Sequence, residues 1–150
     1  MTIIHQRSQQ GRNTEAIVRC YYDEIFIGGT MNRAAIERYF AADFVAHDLP
    51  RGLCGRAGYT KFMGMLATSF RELTPIAADD LFSCGDKVVA RWSSSGLHCA
   101  EFMGIPASGR CVRLKGIDLF RLVEGKIADL WQEIDILGIL QQISAPPHRE

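Results

Sequence analysis

One carboxylate, Asp118, lies in a stretch of sequence that otherwise has the composition of a protein core. Residues 116–131, GIDLFRLVEGKIADLW, alternate like two strands joined by a tight turn, and Asp118 shares its strand face with apolar side chains. Burial among such side chains disfavours the charged form of an aspartate and raises its pKa from ~3.9 toward neutrality. Such a carboxyl group is suited to exchanging protons with carbon. The alternative is a structural carboxylate that accepts hydrogen bonds from a tryptophan indole or a backbone amide.

The turn between these two strands predicts which residues lie beside Asp118. Glu124 and Gly125 fit the centre of a two-residue hairpin loop, in which glycine supplies a positive φ. Counting outward from that loop pairs Asp118 with Trp131, so both side chains are predicted to point into the interior, where Gly116 leaves space. One additional residue in the loop would move the later residues of the strand to the opposite face.

The preceding long strand, residues 88–98, has two faces of different character. One face carries Trp92 and His98, and the other is rich in serine and includes Arg91. We expect the first face to point inward, because serine and arginine suit contact with water. Arg91 would lie near the site only if the opposite face pointed inward.

The elements that must position these residues form an α+β pattern. Helical spacing of apolar residues predicts helices at residues 13–27, 33–40 and 57–73, with Asn32 capping the second. Period-two segments then predict antiparallel strands, and residues 135–142 fit a short docking helix or turn. A strongly curved, cone-shaped sheet wrapped around the N-terminal helices would leave a hollow of the kind that binds ligands. We expect one domain over residues 13–143 between polar tails at 1–12 and 144–150.

Composition argues against several classes of function. Seventeen basic and seventeen acidic residues cancel without runs of like charge, which excludes an obvious nucleic-acid or anionic-membrane surface. No apolar run is long enough to span a bilayer, and the polar N-terminus lacks a signal-peptide core, so a cytoplasmic protein is expected. The five scattered cysteines contain no C-x-x-C pair, and we expect small buried thiols rather than disulfides or a metal site.

Several motifs in a fixed order resemble one known family. They are H-x-x-x-F-x-G-I-P from His98, G-R at residues 109–110, G-I-D-x-F-R at residues 116–121 and G-K-I-x-x-x-W at residues 125–131. Together with FAADFVAHDLPRG and LGILQQ, they resemble the SnoaL-like polyketide cyclases, which belong to the nuclear transport factor 2-like superfamily of α+β cones. The resemblance covers residues 14–142.

The resemblance implies a mechanism and a set of site residues. By its place in GIDLFR, Asp118 matches the aspartate that serves these cyclases as acid and base in an intramolecular aldol ring closure. His47 and His98 match positions from which a donor could reach the developing enolate. The family uses no metal or organic cofactor, acts on hydrophobic carbonyl-bearing small molecules, and often forms homodimers through the outer face of the sheet. The expected substrate-binding residues are Tyr22, Phe62, Met63, Trp92, Phe102, Gly116, Phe120 and Trp131.

Two other functions remain open from the sequence. An isomerase of the ketosteroid isomerase kind, or a dehydratase, would use the same carboxylate, whereas a module for ligand binding or dimerisation would need no catalyst. An Asp118 that faces the lumen with a donor within reach favours an enzyme. An Asp118 that is held on both oxygens by structural donors favours the module.

Overall fold

The chain folds as a curled six-stranded sheet wrapped around helices, which confirms the expected α+β class. The computed structural model describes residues 9–146. The helices are α1 (Gln9–Ile25), α2 (Arg33–Tyr39), α3 (Gly55–Ser69) and α4 (Ile136–Ser144). The strands are β1 (Phe40–Ala46), β2 (Phe70–Arg71), β3 (Ala77–Cys84), β4 (Lys87–His98), β5 (Cys111–Val123) and β6 (Lys126–Ile134).

The sheet has the order β1-β6-β5-β4-β2, and β3 pairs with β4 beside this path. Its pairs are antiparallel except at one end, where β1 runs parallel to β6. The expected antiparallel sheet therefore carries one parallel pair. Helix α1 packs on β3 and β4, and α3 packs on β1, so the helices lie against the inner face of the curl.

The first helix does not begin at residue 13 or 14, because residues 9–12 already belong to it and not to a tail. The rest of the predicted N-terminal tail, residues 1–8, and residues 147–150 of the C-terminal one lie outside the described residues. Along α1, Val18, Tyr21, Tyr22 and Ile25 fall on one stripe and are all buried. The helix thus presents two tyrosines to the inner face of the sheet.

The second helix begins as predicted, since the side chain of Asn32 accepts a hydrogen bond from the backbone N–H of Ala34. The third helix is shorter than predicted, because it ends at Ser69. Phe70 instead enters β2 opposite His98 and is fully buried. In the sequence, Phe70 falls at the helical spacing of the apolar residues of α3. In the structure, pairing with β4 buries its side chain just as a place in the helix would.

Strands β4 and β5 present the faces that the sequence predicted. Trp92 and His98 are buried on the inner face of β4, and Asp118 is buried on the inner face of β5. Arg91 points outward and donates a hydrogen bond to Asp80 at 2.6 Å. The inner surface of the sheet is therefore apolar apart from a few buried polar groups.

The predicted register between β5 and β6 holds beside the turn and fails beyond it. Val123 pairs with Lys126 and Leu122 with Ile127, around a turn in which Glu124 and Gly125 have φ angles of 48° and 75°. A bulge then places one extra residue of β6, residue 128, between two successive pairs. Every later residue of β6 changes face in consequence.

The bulge overturns the predicted proximity of Asp118 and Trp131. Asp118 pairs with Gln132, and Trp131 pairs with Leu119 on the outer face. Gln132 thus takes the inner position that the hairpin count assigned to Trp131.

The cysteines also differ from expectation, because four of the five are exposed rather than buried, and Cys99 is intermediate. They are all free thiols. Among residues 9–146, no helix combines the length and the apolar character needed to cross a bilayer.

Candidate active site

Asp118 is a buried carboxyl group with one hydrogen bond to each oxygen. Its residue is 1% exposed, and it projects from the inner face of β5. The hydroxyl of Tyr22, from α1, donates to Oδ2 at 2.6 Å. The side-chain amide of Gln132, from β6, donates to Oδ1 at 3.0 Å. Two separate elements therefore fix the orientation of this carboxylate.

The surroundings of Asp118 raise its pKa to about 6. Burial is the largest influence and favours the neutral acid, whereas the hydrogen bonds from Tyr22 and Gln132 favour the anion and limit the rise. The indole of Trp92 acts in the same direction as these donors but more weakly, and its buried Nε1 lies outside hydrogen-bonding geometry. Near neutral pH the carboxyl group is therefore ready both to accept and to return a proton.

A cavity of about 660 Å³ lies in front of this carboxylate. Its wall is formed by the end of β1 and the loop after it, by α3, by the loop after β4, by β6 and by the start of α4. The lining residues are Ala46, Asp48, Leu49, Pro50, Tyr59, Phe62, Met65, Leu66, Ser69, Glu101, Phe102, Met103, Leu130, Gln132, Glu133, Ile134 and Ile136. Asp118 is not itself on this wall, and Gln132 is the lining residue that bonds to it.

A pair of tyrosines extends the polar network at the cavity. The hydroxyl groups of Tyr59, on the wall, and Tyr21, behind it, lie 3.0 Å apart. Burial, together with the nearby Asp118, raises the pKa of each of these tyrosines well above the ordinary value. Both hydroxyls therefore stay neutral at physiological pH and can donate hydrogen bonds.

As far as residues 9–146 form it, the cavity wall contains acidic groups but no basic ones. Its charged residues are Asp48, Glu101 and Glu133, and its lining includes no lysine, arginine or histidine. Asp48 accepts a hydrogen bond from the backbone N–H of Gln132 at 3.3 Å, which ties the loop after β1 to β6. An anionic ligand would meet like charge here without a compensating cation.

Among the predicted substrate-binding residues, Phe62 and Phe102 lie on the cavity wall. The side chains of Tyr22, Met63 and Phe120 are buried in the core behind it. Tyr22 nevertheless reaches the site, through its bond to Asp118.

Gly116 leaves space as predicted, but a protein side chain occupies that space. A Cβ atom at Gly116 would lie 2.7 Å from Cζ2 of Trp92 and would clash with the backbone oxygen of Glu133. The absence of a side chain at this position therefore lets the Trp92 indole lie close against β5, next to Asp118.

His98 is fully buried at the end of β4, outside the cavity lining. Its Nδ1 accepts a hydrogen bond from the backbone N–H of Ser108 at 3.1 Å and lies 2.9 Å from the hydroxyl of the same residue. In the neutral ring, the proton therefore resides on Nε2. That nitrogen is buried and has no partner among the described residues, so it is an unused hydrogen-bond donor.

His47 and Trp131 lie together on the outer face of the sheet, away from Asp118. Their rings stack in parallel with centroids 4.2 Å apart. His47 Nε2 lies 2.9 Å from Oδ1 of Asp129, and Arg121 donates to Oδ2 of the same carboxylate at 2.7 Å. Burial tends to raise the pKa of Asp129, but the hydrogen bonds from His47 and Arg121 outweigh it, and the net pKa is lowered.

Sequence reasoning missed Gln132 and Tyr59. The bulge that brings Gln132 inside leaves no clear mark in KIADLWQEI, so the hairpin count could not reach it. Tyr59 lies among the buried residues of α3, and nothing in the neighbouring sequence distinguishes its hydroxyl from the polar end of an ordinary core tyrosine. Within residues 9–146, no group of three or more histidine, cysteine, aspartate or glutamate side chains is arranged to hold a metal ion.

Comparison with known proteins agrees with this architecture. The family model for SnoaL-like polyketide cyclases matches residues 16–143. The chain is 30% identical over 94 residues to the aklanonic acid methyl ester cyclase DnrD of Streptomyces peucetius, a match covering 63% of this chain and 65% of DnrD, just under two thirds of its length. The structure of TsrD from Streptomyces laurentii has a TM-score of 0.72 and 27% identity, covering 90% of this chain and 95% of TsrD.

A second solved structure also shares the fold. It is a protein of Jannaschia sp. CCS1 assigned to the SnoaL-like polyketide cyclases, with a TM-score of 0.81 and 24% identity, covering 95% of this chain and 99% of that one. Since the family model spans most of the sequence, the chain belongs to the SnoaL-like polyketide cyclase family.

Proposed function

We propose that this protein is a cofactor-independent cyclase that closes a ring by an intramolecular aldol reaction, with Asp118 as acid and base. One observation carries the proposal: a fully buried carboxyl group with a pKa of about 6 lies one side chain behind a cavity of about 660 Å³. A base of this strength is matched to proton transfer near neutral pH.

The proposed reaction needs no group besides the substrate and the carboxylate. Ionised Asp118 takes a proton from the carbon beside a substrate carbonyl, and the C–H electron pair becomes an enolate. The enolate carbon bonds to a second carbonyl carbon of the same molecule, and the π electrons of that carbonyl become an alkoxide. The alkoxide takes the proton back from Asp118, which returns to its starting state with atoms and electrons in balance.

Neutral donors at the site would stabilise the enolate. Tyr59 lines the cavity and its hydroxyl lies 3.0 Å from that of Tyr21, and His98 holds a buried Nε2–H that has no partner among the described residues. One preorganised donor to a developing oxyanion is worth roughly 3–4 kcal/mol of barrier. Tyr59 is the nearer candidate, because it already lines the cavity. His47, which the resemblance also offers as a donor, would have to reach the enolate from the outer face of the sheet.

The charge of the wall favours a neutral, hydrophobic substrate. A wall to which the described residues contribute three carboxylates and no basic group discriminates against a free carboxylate and accepts its ester. The relative DnrD is named for a methyl ester substrate, aklanonic acid methyl ester. We therefore propose a neutral polyketide-type ester as the substrate class and take aklanonic acid methyl ester as the first test compound.

A non-catalytic ligand-binding module is the second candidate function. It is favoured by the hydrogen bonds on both oxygens of Asp118, which is how a structural carboxylate is held. The cyclase remains the better account because one of those donors, Gln132, belongs to the cavity wall and lies within reach of a ligand.

Product analysis distinguishes these functions. The protein is incubated with aklanonic acid methyl ester, with a reaction without protein as the control, and the products are analysed by mass spectrometry and NMR. An aldol cyclase gives a product of unchanged mass that contains a new ring. A dehydratase gives a product lighter by one water molecule, and an isomerase gives unchanged mass without a new ring. Binding without any product would contradict the cyclase and support the module.

A further inference from the structure

Gln132 occupies the boundary between the cavity and the buried carboxylate. Its side chain lines the cavity, and its Nε2 donates to Asp118 Oδ1 at 3.0 Å. Its backbone N–H donates to Asp48, so the position of its Cα is held while the side chain can still rotate. The bulge in β6 is what turns Gln132, and not Trp131, toward the interior.

The two donors to Asp118 differ in whether a ligand can displace them. Tyr22 is 1% exposed, is packed in the core and lies outside the cavity lining, so an incoming molecule cannot take its hydroxyl. Gln132 is partly exposed and faces the cavity directly. A substrate carbonyl oxygen is an acceptor that can compete with Asp118 for the Gln132 amide.

We propose that Gln132 is a positioning residue that caps Asp118 in the empty protein and turns its amide to a substrate carbonyl on binding, thereby freeing Oδ1 toward the cavity. This inference rests on the proposed function, because it assigns a role to Gln132 within the same aldol reaction. In the empty protein the cap satisfies the buried carboxylate, and in the complex the same amide orients the substrate.

The exchange makes the base stronger at the moment when it is needed. The Gln132 hydrogen bond favours the anion of Asp118, so its loss makes the carboxylate a better proton acceptor. Entry of a ligand adds little further desolvation, since Asp118 is already 1% exposed. Substrate binding and activation of the base are thereby coupled through one side chain.

The titration of Asp118 is not complicated by its neighbours. The titratable groups that face it are Tyr21 and Tyr22 from α1 and Tyr59 from α3. Burial raises the pKa of all three tyrosines, so they stay neutral across the range in which Asp118 titrates. Asp48 touches Gln132 through the backbone and remains in place when the side chain rotates.

Comparison of two pH profiles tests the exchange. For cyclisation of aklanonic acid methyl ester, the acid limb of kcat/KM reports the pKa of Asp118 in the free enzyme, and that of kcat reports it in the complex. In the wild type, the second pKa should exceed the first by about one unit, the effect of one hydrogen bond to a charged group. In Gln132→Met, which keeps the length of the side chain but has no donor, the two values should coincide.

Tyr22→Phe is the matched control, because it removes the other donor to the same carboxylate. Its free-enzyme pKa should rise, but the difference between the two profiles should remain. Gln132→Leu serves as a second variant if Gln132→Met does not fold. A wild-type difference that persists in the Gln132 variants would overturn the inference while leaving Asp118 as the base. If neither profile shows an acid limb from Asp118, or if the ester is not turned over, the proposed function is overturned, and the inference with it.

Discussion

Asp118→Asn should stabilise the fold at neutral pH, although it removes the proposed catalytic base. The substitution keeps the shape of the side chain and removes its charge. The pKa of the carboxyl group is raised from 3.8 to about 6 on folding, a shift of about two units. At about 1.4 kcal/mol per unit, ionised Asp118 lowers the free energy of unfolding of the wild type by about 3 kcal/mol above pH 7.

The sign and the pH window of this effect follow from the direction of the shift. Because the folded-state pKa is raised, the folded protein retains the proton over a range in which the unfolded chain has lost it. The contribution of Asp118 to stability is therefore highest below its unfolded pKa and decreases as the pH rises through about 6. The Asn variant lacks this decrease. The free energy of unfolding of the variant minus that of the wild type should therefore increase between pH 4 and pH 8 by about 2–3 kcal/mol.

Urea unfolding at several pH values between 4 and 8 measures this difference. Asp129→Asn is the matched control, since it is the same substitution in the same sheet. The Asp129 pKa is lowered in the folded protein despite partial burial, because His47 and Arg121 stabilise its anion. Asp129→Asn should therefore destabilise the protein by an amount that is fully present above the unfolded pKa and nearly constant between pH 4 and pH 8. A pH-independent stability difference for Asp118→Asn would refute the raised pKa and the reasoning built on it.

Three further predictions concern the pH profile, the packing of the sheet and its outer face. In the wild type, kcat/KM should fall below a pKa of about 6, as measured by initial rates, because the carboxylate form of Asp118 is required. Gly116→Ala should lower the free energy of unfolding by about 1–3 kcal/mol in urea titrations, because the added methyl group clashes with β6 and Trp92. We propose that two copies pair through the outer face of the sheet, where Ile117 is exposed beside Trp131. Light scattering should give the mass of a dimer, and Ile117→Asp should shift the measured mass toward that of the monomer.

The inner faces of β4 and β5 could be predicted because alternation is a local property. The buried positions of Trp92, His98 and Asp118 follow from a period of two and the polarity of the opposite face. The hairpin at Glu124 and Gly125 could also be predicted, since its turn needs positive φ at both residues.

The bulge in β6 could not be predicted, and it decides which residues form the site. A bulge depends on how two strands settle against their neighbours, here β1 and β5, and not on the turn that joins them. It reversed the positions of Trp131 and Gln132. The change from helix to strand at Phe70 could not be predicted for a similar reason. Phe70 joins β2 by pairing with His98, which is distant in the sequence.

The most direct test of the account is the turnover of aklanonic acid methyl ester by Asp118→Asn. If Asp118 is the acid and base, kcat should fall by at least ~10²-fold. KM should change little, because Asp118 lies behind the cavity wall. Cyclisation by a folded Asp118→Asn variant at the wild-type rate would contradict the account.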